Sequence, residues 1–277
     1  MARAVPIALL ALLAGLLFWL SPARAGRDKK GPPLAWQTLR PGLEFVLSGD
    51  LARARSGSSL LAILRVDPRR FGFRVLAAQG GRSGLTAEEW LEASHALAVF
   101  NAGLYTPEGR HLGYLLADGK PLSPMVPQQD GMFLAEPRED GLPPARIIDL
   151  RYTPFDPLFS PYRQAAQSLM LLDRFGQVRV RRSPTVASRT ALASDEQGRI
   201  LVLVTEGGHT LWELAQSLKD SGLGLREVMT MDGGAESQLE IHVGGFAYAH
   251  YGRPSPAGEL PWPRRALPAA LAVFPRK

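Results

Sequence analysis

The sequence predicts an α+β domain built on a mixed, largely antiparallel sheet with two or three helices. Three observations carry this. Short apolar runs recur between turn sequences, as strands do. Apolar residues at helical spacing follow two Thr-x-x-Glu capping-box spacings, Thr86/Glu89 and Thr210/Glu213. Hairpin signals outnumber crossovers, so the chain does not read as regularly alternating β–α–β units.

The first segment reads as a secretory signal. Arg3 precedes an apolar run at 4–20 broken only by Pro6 and Gly15, and Ser21-Pro22 and the small-x-small triplet Ala23-Arg24-Ala25 follow. That order predicts a signal peptide over 1–25 with cleavage after Ala25. The run approaches the roughly 17–25 residues that span a bilayer, so a retained anchor is the alternative. The Ser-Pro and Ala-x-Ala that follow at once favour cleavage. No second long apolar run exists, so the mature chain is expected in the periplasm or secreted, with no stable membrane insertion. The chain has no cysteine, so its stability must come from packing and not from disulfides. A nucleic-acid partner is not expected despite a formal charge of +6. The arginines are scattered, and the densest run, Arg179, Arg181 and Arg182, alternates as one solvated face of a strand would.

Residues 26–33 form a polar linker, and 34–277 a single domain. Strands are expected at 43–47, 60–66 and 71–77, the last two joined by the turn Asp67-Pro68-Arg69-Arg70. A short helix opens at Thr86, with Trp90 and Leu91 on its apolar face. A strand at 96–100 ends at Asn101-Ala102-Gly103. The stretch 105–165, rich in Pro and Gly, reads as loops and short hairpins laid over something, because proline disfavours a central strand. Hairpins are expected for 168–172 with 178–180 and for 188–193 with 200–204. The second helix begins at Thr210, carries Leu211, Leu214, Ala215 and Leu218 at helical spacing, and stops before Gly222. A strand at 228–231 ends at Asp232-Gly233-Gly234, and another follows at 238–243.

Common enzyme signatures are missing: no Gly-x-Ser-x-Gly elbow, Ser-x-x-Lys pair, phosphate-binding glycine loop or His-Glu-x-x-His occurs. The five histidines are too scattered to suggest a zinc site by spacing. A divalent cation is the one cofactor left open. Three features remain, each at the end of an apolar strand, where a rigid scaffold exposes polar side chains. They are Asn101-Ala102-Gly103, Ser188-Arg189-Thr190 and Asp232-Gly233-Gly234. Taken alone, a strand followed by Asp-Gly-Gly is more often a plain turn.

Together they resemble the phosphodiester glycosidase family. The resemblance runs through Ala187-Ser188-Arg189-Thr190-Ala191-Leu192, the apolar hairpin, the helix at Leu211 and Met231-Asp232-Gly233-Gly234-Ala235-Glu236-Ser237-Gln238-Leu239. Upstream, Trp90, Val99-Phe100-Asn101-Ala102-Gly103-Leu104-Tyr105 and Gln167-Ser168 extend it, so that it covers about 85–245 in order. Ala102 stands where a second glycine is usual, Leu104-Tyr105 where the family has two aromatics, and Glu236 where it commonly has serine.

The resemblance implies the family's fold and cleavage of a sugar–phosphate ester, here of an envelope or exported polysaccharide. Arg189, planar and always charged, suits a departing phosphate. Asp232 would stabilise an oxocarbenium-like centre or activate water. Glu206 and Glu236 are candidates for a second carboxyl, although Glu206 reads equally as a turn residue. Asn101 would hydrogen-bond sugar or phosphate, and Thr190, Gly103, Gln167, Gly233, Gly234 and Ser237 would line the substrate. The alternatives are a non-catalytic polysaccharide-binding protein on the same fold and a structural envelope protein, which would show no pocket where the strand ends meet.

Overall fold

A computed structural model of the chain describes Met1 and residues 34–78, 83–253 and 263–276. The expected signal peptide after Met1 and the whole of the linker, 26–33, lie outside the described residues. The strands form three main sheets and a small ribbon, not one sheet, and every pairing among the described residues is antiparallel. The expectation of a mixed sheet is corrected accordingly. The first sheet has seven strands in the order Gln37–Arg40, Leu43–Ser48, Leu61–Val66, Ile200–Thr205, Thr190–Asp195, Leu225–Thr230 and Met170–Leu172. The second has five, Phe246–Tyr251, Gln238–Val243, Ala98–Asn101, Ala269–Pro275 and Phe71–Ala77.

The third sheet lies in the stretch expected to be loops. Its order is Ala145–Asp149, Gly131–Pro137, Tyr162–Ser168, Leu115–Ala117 and Lys120–Ser123. Proline does not prevent it, because Pro121 sits in an edge strand and Pro137 ends its strand. Leu104–Tyr105 and His111–Leu112 make the ribbon.

One core joins all three sheets: Leu64, Leu192 and Met229 from the first meet Phe73, Phe100 and Leu271 from the second and Phe133 and Ala166 from the third. The first sheet is covered on its other face as well. Leu214, Ala215 and Leu218 of the helix Leu211–Lys219 lie in one cluster with Ala191, Ala193, Leu201 and Leu203. Burial on both faces explains why Ile200–Thr205 is apolar at nearly every position instead of alternating. The helix Ala87–Ser94 covers the second sheet through Ala87 and Leu91, against Val99, Ala270 and Ala272. Both helices begin with the expected capping box. They are the two α-helices among the described residues; the third helical piece is the 3-10 turn Gly234–Glu236.

Arg179 is not part of a solvated face. Its side chain is 6 % exposed and ion-paired with Asp130 and Asp149, and it lies 3.7 Å from Asp173. These aspartates come from three separate stretches, so Arg179 ties the third sheet to the edge of the first.

Candidate active site

Asn101, Arg189 and Asp232 do not extend one sheet. Asn101 ends a strand of the second sheet, whereas Arg189 and Asp232 flank strands of the first. The ends of the two sheets meet, and one side-chain bond and two main-chain bonds hold them. Asn101 Nδ2 donates to the Asp232 carbonyl at 3.0 Å. The Asp232 N–H donates to the Gly103 carbonyl at 2.8 Å, and the Gly234 N–H to the Ser188 carbonyl at 2.9 Å. Asn101 is fully buried; its Nδ2 orients the Asp232 backbone, while its Oδ1 has no hydrogen-bond partner among the described residues.

Asp232 has a defined setting. Its Oδ2 accepts the Tyr105 N–H at 3.0 Å and its Oδ1 accepts the Gly233 N–H at 2.9 Å. Burial nevertheless pushes its pKa up to about 6; the Tyr105 amide pulls it down, Glu236 adds to the rise, and the Gly233 amide and Arg189 oppose it. Its protonation therefore changes in the range where an acid–base group is useful.

Arg189 is 8 % exposed. Its Nε donates to the His209 carbonyl and Nη2 to the Thr185 carbonyl, at 2.9 and 2.7 Å. Two of the five N–H bonds are thus engaged and the Nη1–Nη2 end keeps three. Burial lowers its basicity and the charge of Asp232 opposes that. Gly233 brings the two together: a Cβ there would stand 2.7 Å from the Ser188 carbonyl oxygen and 3.0 Å from Arg189 Nη1. A side chain at 233 would force the Asp232 and Arg189 strands apart.

The remaining expected site residues divide. Glu206 is half-buried, accepts the Tyr248 hydroxyl at 3.4 Å and lines a cleft of about 450 Å³ beside Ser188, His250 and the turn Ser56-Gly57-Ser58. Asp232 and Arg189 do not line this cleft; Ser188, bonded to Gly234 and followed by Arg189, connects them to it. Glu236 pairs with Arg265 at 3.1 Å. Gly234 begins the 3-10 turn, and Gly103 accepts from Asp232 as above. Thr190 and Ser237 are fully buried, with their hydroxyls 2.9 Å apart. Gln167 is also fully buried. Its Oε1 accepts the Tyr114 and Val126 amides and its Nε2 donates to the Val126 and Gln129 carbonyls. No atom of that amide is left for a ligand, so the sequence reading of Gln167 as a substrate contact is corrected to a structural role; Thr190 and Ser237 likewise join the two sheets.

Tyr105 stood in the family resemblance without a role of its own, and His111 and the Ser56-Gly57-Ser58 turn had no signal in the sequence. The Tyr105 amide holds Asp232, while its hydroxyl donates to the Ala269 carbonyl at 2.6 Å. His111 braces the Ala102 and Gly113 carbonyls at 3.1 and 3.0 Å. The Ser56-Gly57-Ser58 turn reaches the cleft by pairing with Gly208, far away in sequence. Among the described residues no group of three or more His, Cys, Asp or Glu is placed to hold a metal ion. Among them, too, no helix is long and apolar enough to cross a membrane.

The model of the phosphodiester glycosidase family matches residues 94–274. No curated protein matches the sequence. Among solved structures, the chain is similar to the catalytic domain of zebrafish N-acetylglucosamine-1-phosphodiester alpha-N-acetylglucosaminidase, auto-inhibited by its pro-peptide. The TM-score is 0.61 at 18 % identity, covering 92 % of this chain and 95 % of that one. It is also similar to a hypothetical protein from Synechocystis, with TM-score 0.56 and 16 % identity, over 88 % of this chain and 64 % of that one. These likenesses establish the fold.

Proposed function

The chain belongs to the phosphodiester glycosidase family, and on that premise we propose that it is an exported hydrolase cleaving a glycosyl phosphodiester of envelope or exported polysaccharide. The observation that carries the reading is Asp232, a carboxylate fixed by two backbone amides, with its pKa pushed up to about 6 beside the buried Arg189. In this proposal Asp232 takes a proton from water, and the water oxygen bonds to the anomeric carbon. The bond from that carbon to the phosphate oxygen breaks, and its electron pair stays on the phosphate. Arg189, through its unengaged N–H bonds, holds the growing charge. The products are a free sugar and a phosphate monoester. A phosphate leaves without help from a strong acid, so one base and one cation suffice for the step.

Asn101 and the Tyr105 amide act by positioning Asp232, and Glu206 supplies a second carboxylate in the neighbouring cleft. Export rests on the order of charged, apolar and small residues in 1–25. The test is an assay of the purified protein on aryl and uridine-diphosphate N-acetylglucosamine phosphodiesters, with and without chelator. Release of free sugar is expected. A folded protein that releases none from a broad panel of glycosyl phosphodiesters contradicts the proposal. A non-catalytic glycan binder is the second reading, favoured by the absence of Asp232 and Arg189 from the cleft wall. It predicts saturable binding without turnover.

A further inference from the structure

The Ser56-Gly57-Ser58 turn lies outside the stretch matched by the family model, residues 94–274, yet it forms one wall of the cleft. It is held there firmly. The Glu206 N–H donates to the Leu60 carbonyl, the Gly208 N–H to the Ser56 carbonyl and the Arg55 N–H to the Gly208 carbonyl, all at 2.8–2.9 Å. Arg55 also pairs with Glu213 at 2.6 Å, which anchors the turn to the start of the second helix. Gly207 permits this approach: a Cβ there would stand 2.1 Å from the Ser58 carbonyl oxygen and 2.6 Å from that of Ser56. The wall is therefore preorganised, and a ligand need not order it.

The chemistry of the lining is that of hydroxyl recognition. Glu206 is the carboxylate of the cleft wall. Ser56 and Ser58 are exposed at its side; Ser58 Oγ accepts the Leu60 amide, which leaves its proton to donate. His250 is uncharged at working pH, because burial and the charge of Arg253 push its imidazole down to about 4. Arg253 stands on the same wall, so the lining carries one carboxylate and one guanidinium. A carboxylate able to accept from neighbouring hydroxyls, flanked by short hydroxyl side chains and backbone, suits a neutral polyol.

We infer that this cleft is a subsite for an uncharged, hydroxyl-rich glycosyl ring, with Glu206 accepting its hydroxyls and the Ser56-Gly57-Ser58 turn selecting among rings. This deepens the proposed function by assigning the cleft to the sugar half of the substrate, and it rests on that reading for its link to turnover.

The experiment is amide NMR titration of the full mature chain with methyl α-glycosides of glucose, galactose, mannose and N-acetylglucosamine, and separately with inorganic phosphate. Glycosides should shift the Gly207 and Gly208 amides saturably, and phosphate should not. Glu206→Gln should weaken glycoside binding at least tenfold. The Ser56→Ala/Ser58→Ala pair should change the order of preference among the four rings. Retained melting temperatures exclude misfolding, and Glu206→Asp, which keeps the charge, should bind better than the Gln variant. Phosphate shifting these amides while glycosides do not, or an unchanged Kd in Glu206→Gln, overturns the assignment. The two proposals fail separately. Glycoside binding without turnover of any phosphodiester leaves the subsite and removes the hydrolase. Turnover with a KM unaffected by Glu206→Gln removes the subsite and leaves the hydrolase.

Discussion

Asparagine at position 232 separates the chemistry of Asp232 from its part in the fold. Hydrolysis should fall by on the order of a hundredfold or more, since asparagine cannot take a proton from water. Stability responds in two ways. Asparagine can accept one of the two N–H bonds now made by Tyr105 and Gly233 but not both, and the amide left unpaired costs about 1–3 kcal/mol at every pH. The carboxylate, in contrast, contributes a pH-dependent term. Its pKa rises from 3.8 to about 6 on folding, a shift of roughly two pH units, or about 3 kcal/mol at about 1.4 kcal/mol per unit. Solvent screening of a half-buried group reduces that to about 2 kcal/mol. Because the folded value lies above the unfolded one, the native state between the two holds a proton that the unfolded state has released. Wild-type stability should therefore be favoured below about pH 4 and should fall, relative to Asp232→Asn, as pH rises through 6. Urea unfolding of both proteins at a series of pH values from 4 to 7 measures this. The difference in unfolding free energy should drift by about 2 kcal/mol in favour of the variant. A flat difference would refute the raised value and, with it, the picture of Asp232 as a base desolvated by its surroundings.

Further outcomes follow from the same geometry. The kcat/KM of the wild type should rise about tenfold per pH unit below about 6 and level off above it, since the carboxylate is the active form; a stopped assay across pH 4–8 checks this. Arg189→Lys keeps a positive charge but loses the carbonyl contacts to Thr185 and His209, so kcat/KM should fall at least tenfold and selectivity for phosphodiesters should weaken. Gly233→Ala places a methyl group 2.7 Å from the Ser188 carbonyl oxygen, and turnover should drop far more than the melting temperature. Arg179→Leu leaves Asp130, Asp149 and Asp173 facing one another around an empty site. It should cost about 3–5 kcal/mol by denaturant unfolding, as removal of one partner from a buried ionic cluster does.

What the sequence made legible was local. The two capping boxes and the 188–204 hairpin depend on residues a few positions apart, and the structure has them where the spacing put them. The third sheet was hidden because proline lies in or at the end of its strands, as Pro121 and Pro137 do, and because Tyr162–Ser168 pairs with Leu115–Ala117 across about 50 residues. Arg179 was misread because alternation with apolar neighbours is the same pattern whether the polar face meets water or aspartates, two of them, Asp130 and Asp149, distant in sequence. At the site, Asp232, Arg189 and Asn101 were marked by their places at the ends of apolar runs. Residue type alone could not show that Gln167 saturates its amide on backbone, or that Thr190 and Ser237 turn their hydroxyls toward each other. Nor could it place Ser56-Gly57-Ser58 against Glu206, because that contact is made by main-chain pairing across some 150 residues.

In the proposed reaction water attacks the anomeric carbon and not the phosphorus. Hydrolysis of a glycosyl phosphodiester in ¹⁸O-labelled water, with both products read by mass spectrometry after a single turnover, decides it. The label is predicted in the hydroxyl of the released sugar, with an unlabelled phosphate monoester; label in the phosphate would mean that the phosphorus–oxygen bond is the one cleaved, and would contradict the roles given to Asp232 and Arg189.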